Sequence, residues 1–479
     1  MAILDQFGAP IFAASELHTR IKQRMRRRIL ARYDAAQTTP DNERHWANAD
    51  SLSADAGADA SVRQRLRDRS RYEFSTNSYA KGIVLTIAND TIGTGPRLRM
   101  IGEDREANRA VERAFVRWSR EIDLGAKLRT MRISKVMDGE SFALLTTNPG
   151  LNAEVQLDMR LIEADQIASP TLDPLSETSI DGIRLDRLGN VTGYEKLLHH
   201  PGDIRFGFNF DSVIIRPEHM IHYFRRDRPE QHRGIPELTS ALPLFAQLRR
   251  YTLAVLAAAE TAADFAAVMY TDGAAMEEID QVDPLDAIEL EKRAMLTLPQ
   301  GWKMSQIRAE QPSTTYADFK HEVLNEIARS LNMPFNVAAG NSSGYNFASG
   351  RLDHQTYFRS IDVERAHLQC AVLDRILAAW FDEAALSGVL AGVRIEPGLP
   401  HRWYWDGHGH VDPMKEARAA QTLWDTGLLS DDEYLFSRGI DPDEHYETLA
   451  MQSDRRKAIG LPLPGEADRQ PAVEVTTNA

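Results

Sequence analysis

One stretch limits the possible fold more than any other. Pro236 to Tyr270 reads as a single long helix, with a kink or start near Pro243, and its second half is built from alanine. Ala254, Ala257, Ala258, Ala259, Ala262, Ala263, Ala266 and Ala267 put small side chains on several faces. Helical throughout, it would span on the order of 50 Å. Small side chains let neighbouring helices approach closely, but they bury little area within one chain. The helix is either the core of a monomeric domain or is packed against copies of itself, and the pattern leaves both open. It is not a membrane span: Glu260 and Asp264 interrupt it and Arg249-Arg250 precede its apolar part, so no run of roughly 20 apolar residues exists. No membrane partner is expected.

The flanking text sorts into blocks. Ser61 to Tyr79 is a basic helical pattern with Arg63, Arg65, Arg67, Arg69 and Arg71, expected to form a solvated or intersubunit face, with nucleic-acid contact as the alternative. From Gly82 to Phe224 strands and helices alternate, with strands at Ser141–Thr147, Val155–Ala164, Val213–Ile215 and Met220–Phe224. A hairpin joins Ile183–Asp186 to Val191–His199 through Leu188-Gly189-Asn190. Residues 271–300 hold eight acidic residues, and strand-like pieces follow at Met295–Leu298 and Trp302–Ile307. An amphipathic helix runs from Thr315 to Leu331, stopped by Pro334. After the polar, glycine-rich stretch Gly340 to Gly350, a long helical pattern covers Arg351 to Leu386. Three short helices follow, opened by Asp412-Pro413, by Ser430 with Glu433, and by Asp441-Pro442. Leu461 to Ala479 reads as disordered. The expected class is α+β, predominantly helical.

Charge narrows the function. Residues 1–71 carry 13 Lys/Arg and 9 Asp/Glu, leaving that segment at +4 and the rest of the chain at −18 of the net −14. An acidic body disfavours tight phosphate tracking, which needs clustered cations. The single cysteine, Cys370, excludes an intrachain disulfide and is expected as a buried thiol on the long helix. The basic run Arg20 to Arg28 is not followed by an apolar segment, so no signal peptide is expected.

No constellation has catalytic spacing. Gly340 to Gly350 lacks the Gly-Lys-Ser/Thr of a phosphate loop and follows a helix, not a strand. His401, Asp406, His408, His410 and Asp412 lie close in sequence without a complete ligand set, and a loop that packs Trp403 and Trp405 onto the body explains them better. His199, His200, His219 and His222 read as surface or hydrogen-bonded structural histidines. No catalytic residue, metal or cofactor is expected.

Several segments, in this order, resemble the lambda-type portal family of tailed bacteriophages. They are Ala31-Arg32-Tyr33-Asp34-Ala35-Ala36 with Trp46, Tyr79-Ala80-Lys81-Gly82-Ile83-Val84, Thr91-Ile92-Gly93-Thr94-Gly95-Pro96, Asp138-Gly139-Glu140-Ser141-Phe142 and Leu161-Ile162-Glu163-Ala164-Asp165. Arg233-Gly234-Ile235-Pro236, Asn346-Phe347-Ala348-Ser349-Gly350-Arg351 and Asp412-Pro413 with Lys415-Glu416 complete the set.

The resemblance implies a portal fold of wing, stem, clip and crown assembling into a dodecameric ring. Residues 1–81 would be a basic arm and linker helix, 82–235 the wing, 236–270 and 313–333 the stem helices, 271–312 the clip, 334–350 the tunnel loop and 412–460 the crown. Residues 351–411 would hold the long helix and the loop leading to the crown. Asn341, Ser342, Ser343, Gly344, Tyr345, Asn346 and Phe347 would face double-stranded DNA in the channel, independent of its sequence. Glu277, Glu278, Asp280, Asp283, Asp286 and Glu289 would meet the terminase large subunit and later the head–tail adaptor protein. Ala254, Ala258, Ala262 and Phe265 would pack between subunits. The major capsid protein is a further implied partner, and the implied location is the portal vertex of the virion, with the host cytoplasm during assembly. Three other readings stand beside it: the ring of a gene-transfer particle, a helical adaptor without a DNA channel, and a DNA-processing enzyme, which would need a clustered carboxylate or metal site.

Overall fold

A computed structural model describes residues 40, 43–169, 175–176, 179–205, 211–264, 268–271, 302–305, 313–392, 400–408 and 413–462. The chain divides into two units, Met1–Gly57 and Ala58–Ala479. In the first, the described part holds one short helix, Ala54–Gly57. All that follows concerns the second.

Two helices open it, α1 (Ala60–Thr76) and α2 (Ser78–Ile92). Asn77 separates them: its side chain accepts from the Tyr79 and Ala80 amides and so caps α2. The basic pattern expected to run to Tyr79 therefore breaks at this cap. Strand β1 (Arg97–Met100), helices α3 (Arg105–Glu121) and α4 (Leu124–Asp138), and strands β2 (Glu140–Thr147) and β3 (Leu157–Ile162) follow. Then come β4 (Leu175–Ser176), β5 (Ser179–Ile180), β6 (Ile183–Leu185), β7 (Val191–Leu197), β8 (Ser212–Ile215) and β9 (Met220–Phe224).

All pairings are antiparallel. Among the described residues the two larger sheets have the orders β3-β2-β9, with Phe142 opposite Ile162 and His222, and β4-β5-β6-β7-β8. Strand alternation sends Phe142 and Ala143 to opposite faces of β2. Ala143 joins a core with Phe115, Trp118, Trp380 and Trp403, while Phe142 joins a smaller one with Ile183 and Tyr194.

The alanine-rich helix is shorter than its pattern suggests. Helix α5 covers Leu242–Asp264, so of the kink or start expected near Pro243 the structure has the start, and the C-terminal end falls short of Tyr270. Val268–Thr271 is instead a strand, β10, paired antiparallel with β11 (Trp302–Ser305). β-Branched and aromatic residues suit a strand where a pairing partner is present, and Trp302–Ser305 supplies it. Helices α6 (Ser313–Ser330), α7 (Phe335–Ala339) and α8 (Phe347–Leu368) come next. The expected loop to Gly350 thus holds α7 and the first turn of α8, which leaves 340–346 as the loop proper.

The long helical pattern is also interrupted. A π-turn at Gln369–Leu373 separates α8 from α9 (Asp374–Ser387). Tyr357 and Ile361 pack in a core with α2, α5, α6 and α7, whereas Leu368, Val372, Leu373 and Ile376 belong to the tryptophan core. The π-turn lies where the helix passes from one core to the other. Cys370, expected to be buried, is exposed; two residues on from buried Leu368, it falls on the outward face.

Strand β12 (His401–Tyr404) pairs with β1, which seats Trp403 in the core as expected. Helices α10 (Pro413–Asp425), α11 (Asp431–Ser437) and α12 (Pro442–Ala458) end the described chain. Ser430 and Asp441 cap the last two, accepting from the Glu433 amide and from the Asp443 and Glu444 amides. Among the described residues no helix is long and apolar enough to cross a membrane.

Candidate functional site

The loop between α7 and α8 is organised by its own asparagines. Gly340, with φ of +63°, ends α7 in a left-handed conformation that favours glycine. Asn341 Oδ1 accepts from the Ser343 amide at 2.9 Å and from Ser343 Oγ at 2.7 Å. The Tyr345 amide donates to Ser342 O at 3.2 Å, and Asn346 Oδ1 accepts from the Ser349 amide at 2.8 Å as the cap of α8. Asn341, Ser342, Ser343, Gly344 and Asn346 are exposed, and no charged residue occurs from Asn336 to Gly350. Tyr345 is half-buried against the core, so its ring is an anchor and not part of the loop's free surface. Phe347 starts α8 and its side chain lies outside the described residues.

The helices next to this loop stand partly away from the core. Leu242, Phe245 and Leu248 of α5 are buried, but no residue from Arg249 to Glu260 is. Ala254 is exposed, Ala258 is half-buried, and Leu253 and Leu256 are 60% and 54% exposed. Helix α6 contributes Tyr316, which stacks on Tyr251 at 5.8 Å between ring centres, and Phe319, at 4.4 Å from the same ring. The side chain of Ala262, and all of Phe265, Glu277, Glu278, Asp280, Asp283, Asp286 and Glu289, lie outside the described residues.

A buried ionic network holds the frame, and sequence reasoning missed it. Glu140 and Arg233 are both fully buried, with Arg233 NH2 2.6 Å from Glu140 Oε1. Glu140 also accepts from the Gly234 amide at 3.0 Å and meets His222 Nε2 at 3.0 Å. Burial alone would raise the pKa of Glu140, yet the Arg233 guanidinium and His222 hold it well below the usual carboxylate range. Arg233 NH1 reaches Asp181 Oδ2 at 3.1 Å and donates to Ile167 O at 2.9 Å.

The arginines of α1 complete the network, where a solvated or intersubunit face was expected. Arg63 pairs with Asp181 at 2.5 Å, Arg67 with Asp165 at 2.9 Å, and Arg71 with Asp138 at 2.7 Å. Residues four apart share one helix face, and here that face meets carboxylates; Arg65 and Arg69 point to solvent. Two of the quoted motifs also interlock through their backbones. A Cβ at Gly139, where φ is +90°, would collide with the Ile235 backbone, and one at Gly234 would collide with the Gly139 carbonyl.

A second cluster ties α4 to β9 and α8. Arg132 grips Glu237 with two bonds of 3.1 Å, and Lys135 Nζ lies 2.5 Å from Glu364, which also accepts from Tyr223 Oη. Burial works to raise the pKa of Glu364, but Arg132 and Lys135 bring it down to about 2.

None of this has the form of a reaction centre. Glu163, Asp165 and His200 place ligand atoms within 4.8 Å of one another. Arg71 NH2, however, lies 2.7 Å from Asp165 and 3.5 Å from Glu163, so a guanidinium already takes the cation's place. The histidines of 401–413 separate as well. His401 meets Asp374 at 3.2 Å, His408 meets Asp362 at 2.9 Å, and Asp406 accepts from the Thr94 amide at 2.6 Å. His410 and Asp412 lie outside the described residues.

Comparison with known proteins gives the frame a family. The model of the phage portal protein, lambda family, matches residues 40–365. A probable portal protein of Halomonas phage phiHAP-1 is 24% identical over 441 residues, covering 84% of this chain and 82% of the relative. A chain from the neck of an empty GTA particle, computed with C6 symmetry, has a TM-score of 0.49 at 14% identity, covering 82% of this chain and 100% of that one. Another, from the neck of a native GTA particle computed with C12 symmetry, has a TM-score of 0.45 at 14% identity, covering 80% and 95%. The family match takes in the Asp138–Phe142, Leu161–Asp165 and Arg233–Pro236 motifs whose side chains meet in the buried network, and the chain belongs to the lambda family of phage portal proteins.

Proposed function

We propose that this chain is one subunit of a ring, dodecameric in the virion, through which double-stranded DNA enters and leaves a capsid at one vertex. The observation that carries the reading is the stretch of α5 from Arg249 to Glu260. It has no buried residue, yet it displays Leu253, Ala254 and Leu256. Apolar side chains on a helix that a single chain leaves uncovered are stabilised when neighbouring copies supply the contact. In a closed ring each subunit offers one surface to the next, so the same stripe is covered in every copy.

In this reading residues 82–235 form the wing, α5 and α6 the stem, 271–312 the clip and 412–460 the crown. The clip meets the terminase large subunit during packaging and the head–tail adaptor afterwards, and the outer rim meets the major capsid protein. The loop 340–346 faces the channel with hydroxyls and amides and no cation, so it offers DNA no charge to grip and no base-reading element. The chain is a structural conduit, and the work of packaging is supplied by another component. Negative-stain imaging of the purified protein tests this: rings with a central hole are expected, and a monomer or a solid particle would overturn it.

A further inference from the structure

Helix α3 carries arginines at 105, 109, 113 and 117, each four residues beyond the last, and Arg120 three further on. Such steps stack side chains on one face, and the row extends about 22 Å at a rise of about 1.5 Å per residue. The opposite face sends Val111, Phe115 and Trp118 into the core. Arg105, Arg113, Arg117 and Arg120 are exposed and Arg109 is half-buried. Like charges four apart destabilise a helix, and Arg105 stands in the first turn, where the helix dipole disfavours a cation.

The helix's own carboxylates do little to relieve this. Glu112 turns to Arg99 and to the Met100 amide, and Glu121 accepts from the Asn152 amide at 3.1 Å. At one end the row already holds anionic oxygens, since Arg109 meets Glu447 at 3.1 Å and Asp443 at 3.5 Å, both on α12. Among the described residues, Arg113, Arg117 and Arg120 form no ion pair.

We propose that Arg113, Arg117 and Arg120 form a docking row for the phosphate backbone of double-stranded DNA, independent of sequence. The row rests on the reading of the chain as a DNA conduit and adds to it a second place, outside the loop at 340–346, where the duplex is held. Two observations favour phosphate over a protein partner. Protein interfaces are built around aromatic or aliphatic anchors, and from Arg113 to Arg120 every exposed residue of α3 is an arginine, so this face offers no such anchor. Every cation of the row is also arginine, whose planar fork matches the oxygens of a phosphate in pairs. The acidic net charge does not oppose this, because exposed charges are screened over about 10 Å at 0.1 M salt.

The test uses the full-length protein and a fluorescent, random-sequence duplex of about 30 base pairs, titrated at several salt concentrations. The variant R113A/R117A/R120A is expected to bind at least about tenfold more weakly at low salt, with the slope of log K against log salt reduced by about 2–3. The matched surface variant R65A/R69A should leave both unchanged. Affinity and slope unaltered by the triple change would overturn the row, as would a wild-type protein that binds no duplex. Loss of rings with DNA binding intact would also overturn it and make the row a contact between copies. Imaging the same samples separates this proposal from the conduit reading: rings that ignore the substitutions sink the row alone, whereas wild-type protein without rings sinks the conduit.

Discussion

Arg233 and Glu140 form a fully buried ion pair, with NH2 and Oε1 2.6 Å apart although the residues are 93 positions apart in sequence. Around the pair gather α1, the start of β2, the turn after β3, and the segment that leads into α5. Removing one partner leaves the other as an uncompensated buried charge, a loss of about 3–5 kcal/mol. Arg233→Met is therefore expected to lower the unfolding free energy measured by denaturant titration by that amount, and Arg233→Lys to recover only part of it. A Met variant with wild-type stability would show that the pair is not a keystone.

Gly139 makes a sharper case, because its replacement harms the fold in two ways. Its φ of +90° disfavours any side chain, and a Cβ would strike the backbone of Ile235. Gly139→Ala is expected to destabilise the protein by about 2–4 kcal/mol, from strain plus overpacking. Thermal unfolding measures it, with Gly189→Ala as the comparison: Gly189 also has positive φ, but nothing lies near its would-be Cβ.

Acid should loosen these joints in a defined window. Glu140 and Glu364 both have folded-state pKa values below those of free carboxylates, Glu364 at about 2. A depressed carboxylate contributes stability that is present above the unfolded value and lost as pH falls through the folded one. Urea midpoints are thus expected to hold down to about pH 4.5 and to fall between there and about pH 2. Glu364→Gln should flatten that fall, and an unchanged acid limb in this variant would remove Glu364 from the account.

The loop at 340–346 separates structure from DNA handling. Asn346→Ala removes the cap of α8 and should cost about 1 kcal/mol, whereas Ser342→Ala should leave stability unchanged. Deletion of Ser342–Gly344 is expected to leave rings intact while impairing DNA packaging or retention. Loss of rings on deletion would move the segment from DNA handling to assembly.

Much of the frame was legible in the sequence, and the exceptions have physical causes. Caps at Ser430 and Asp441 are local signals, and the hairpin of β6 and β7 followed from its turn residues. The boundary at Asp264 was not legible, because Val268–Thr271 becomes a strand only through β11, more than thirty residues on. The four-residue spacing of Arg63, Arg67 and Arg71 was visible, but arginine is buried only when paired, and the partner of Arg63 lies 118 residues away. Cys370 was misplaced because the long helix turns it outward. The arginine row of α3 was open to reading from its spacing alone; only the fold shows that Arg109 meets carboxylates of α12 while Arg113, Arg117 and Arg120 form no ion pair among the described residues.

The central claim is that the uncovered stripe of α5, with Leu253, Ala254 and Leu256, is covered by neighbouring copies. Sedimentation and imaging of wild type beside Leu253→Glu/Leu256→Glu test it most directly. The account predicts wild-type rings with a central hole, and a folded variant shifted towards monomer. Wild-type monomer, or rings that tolerate two buried glutamates at this stripe, would contradict it.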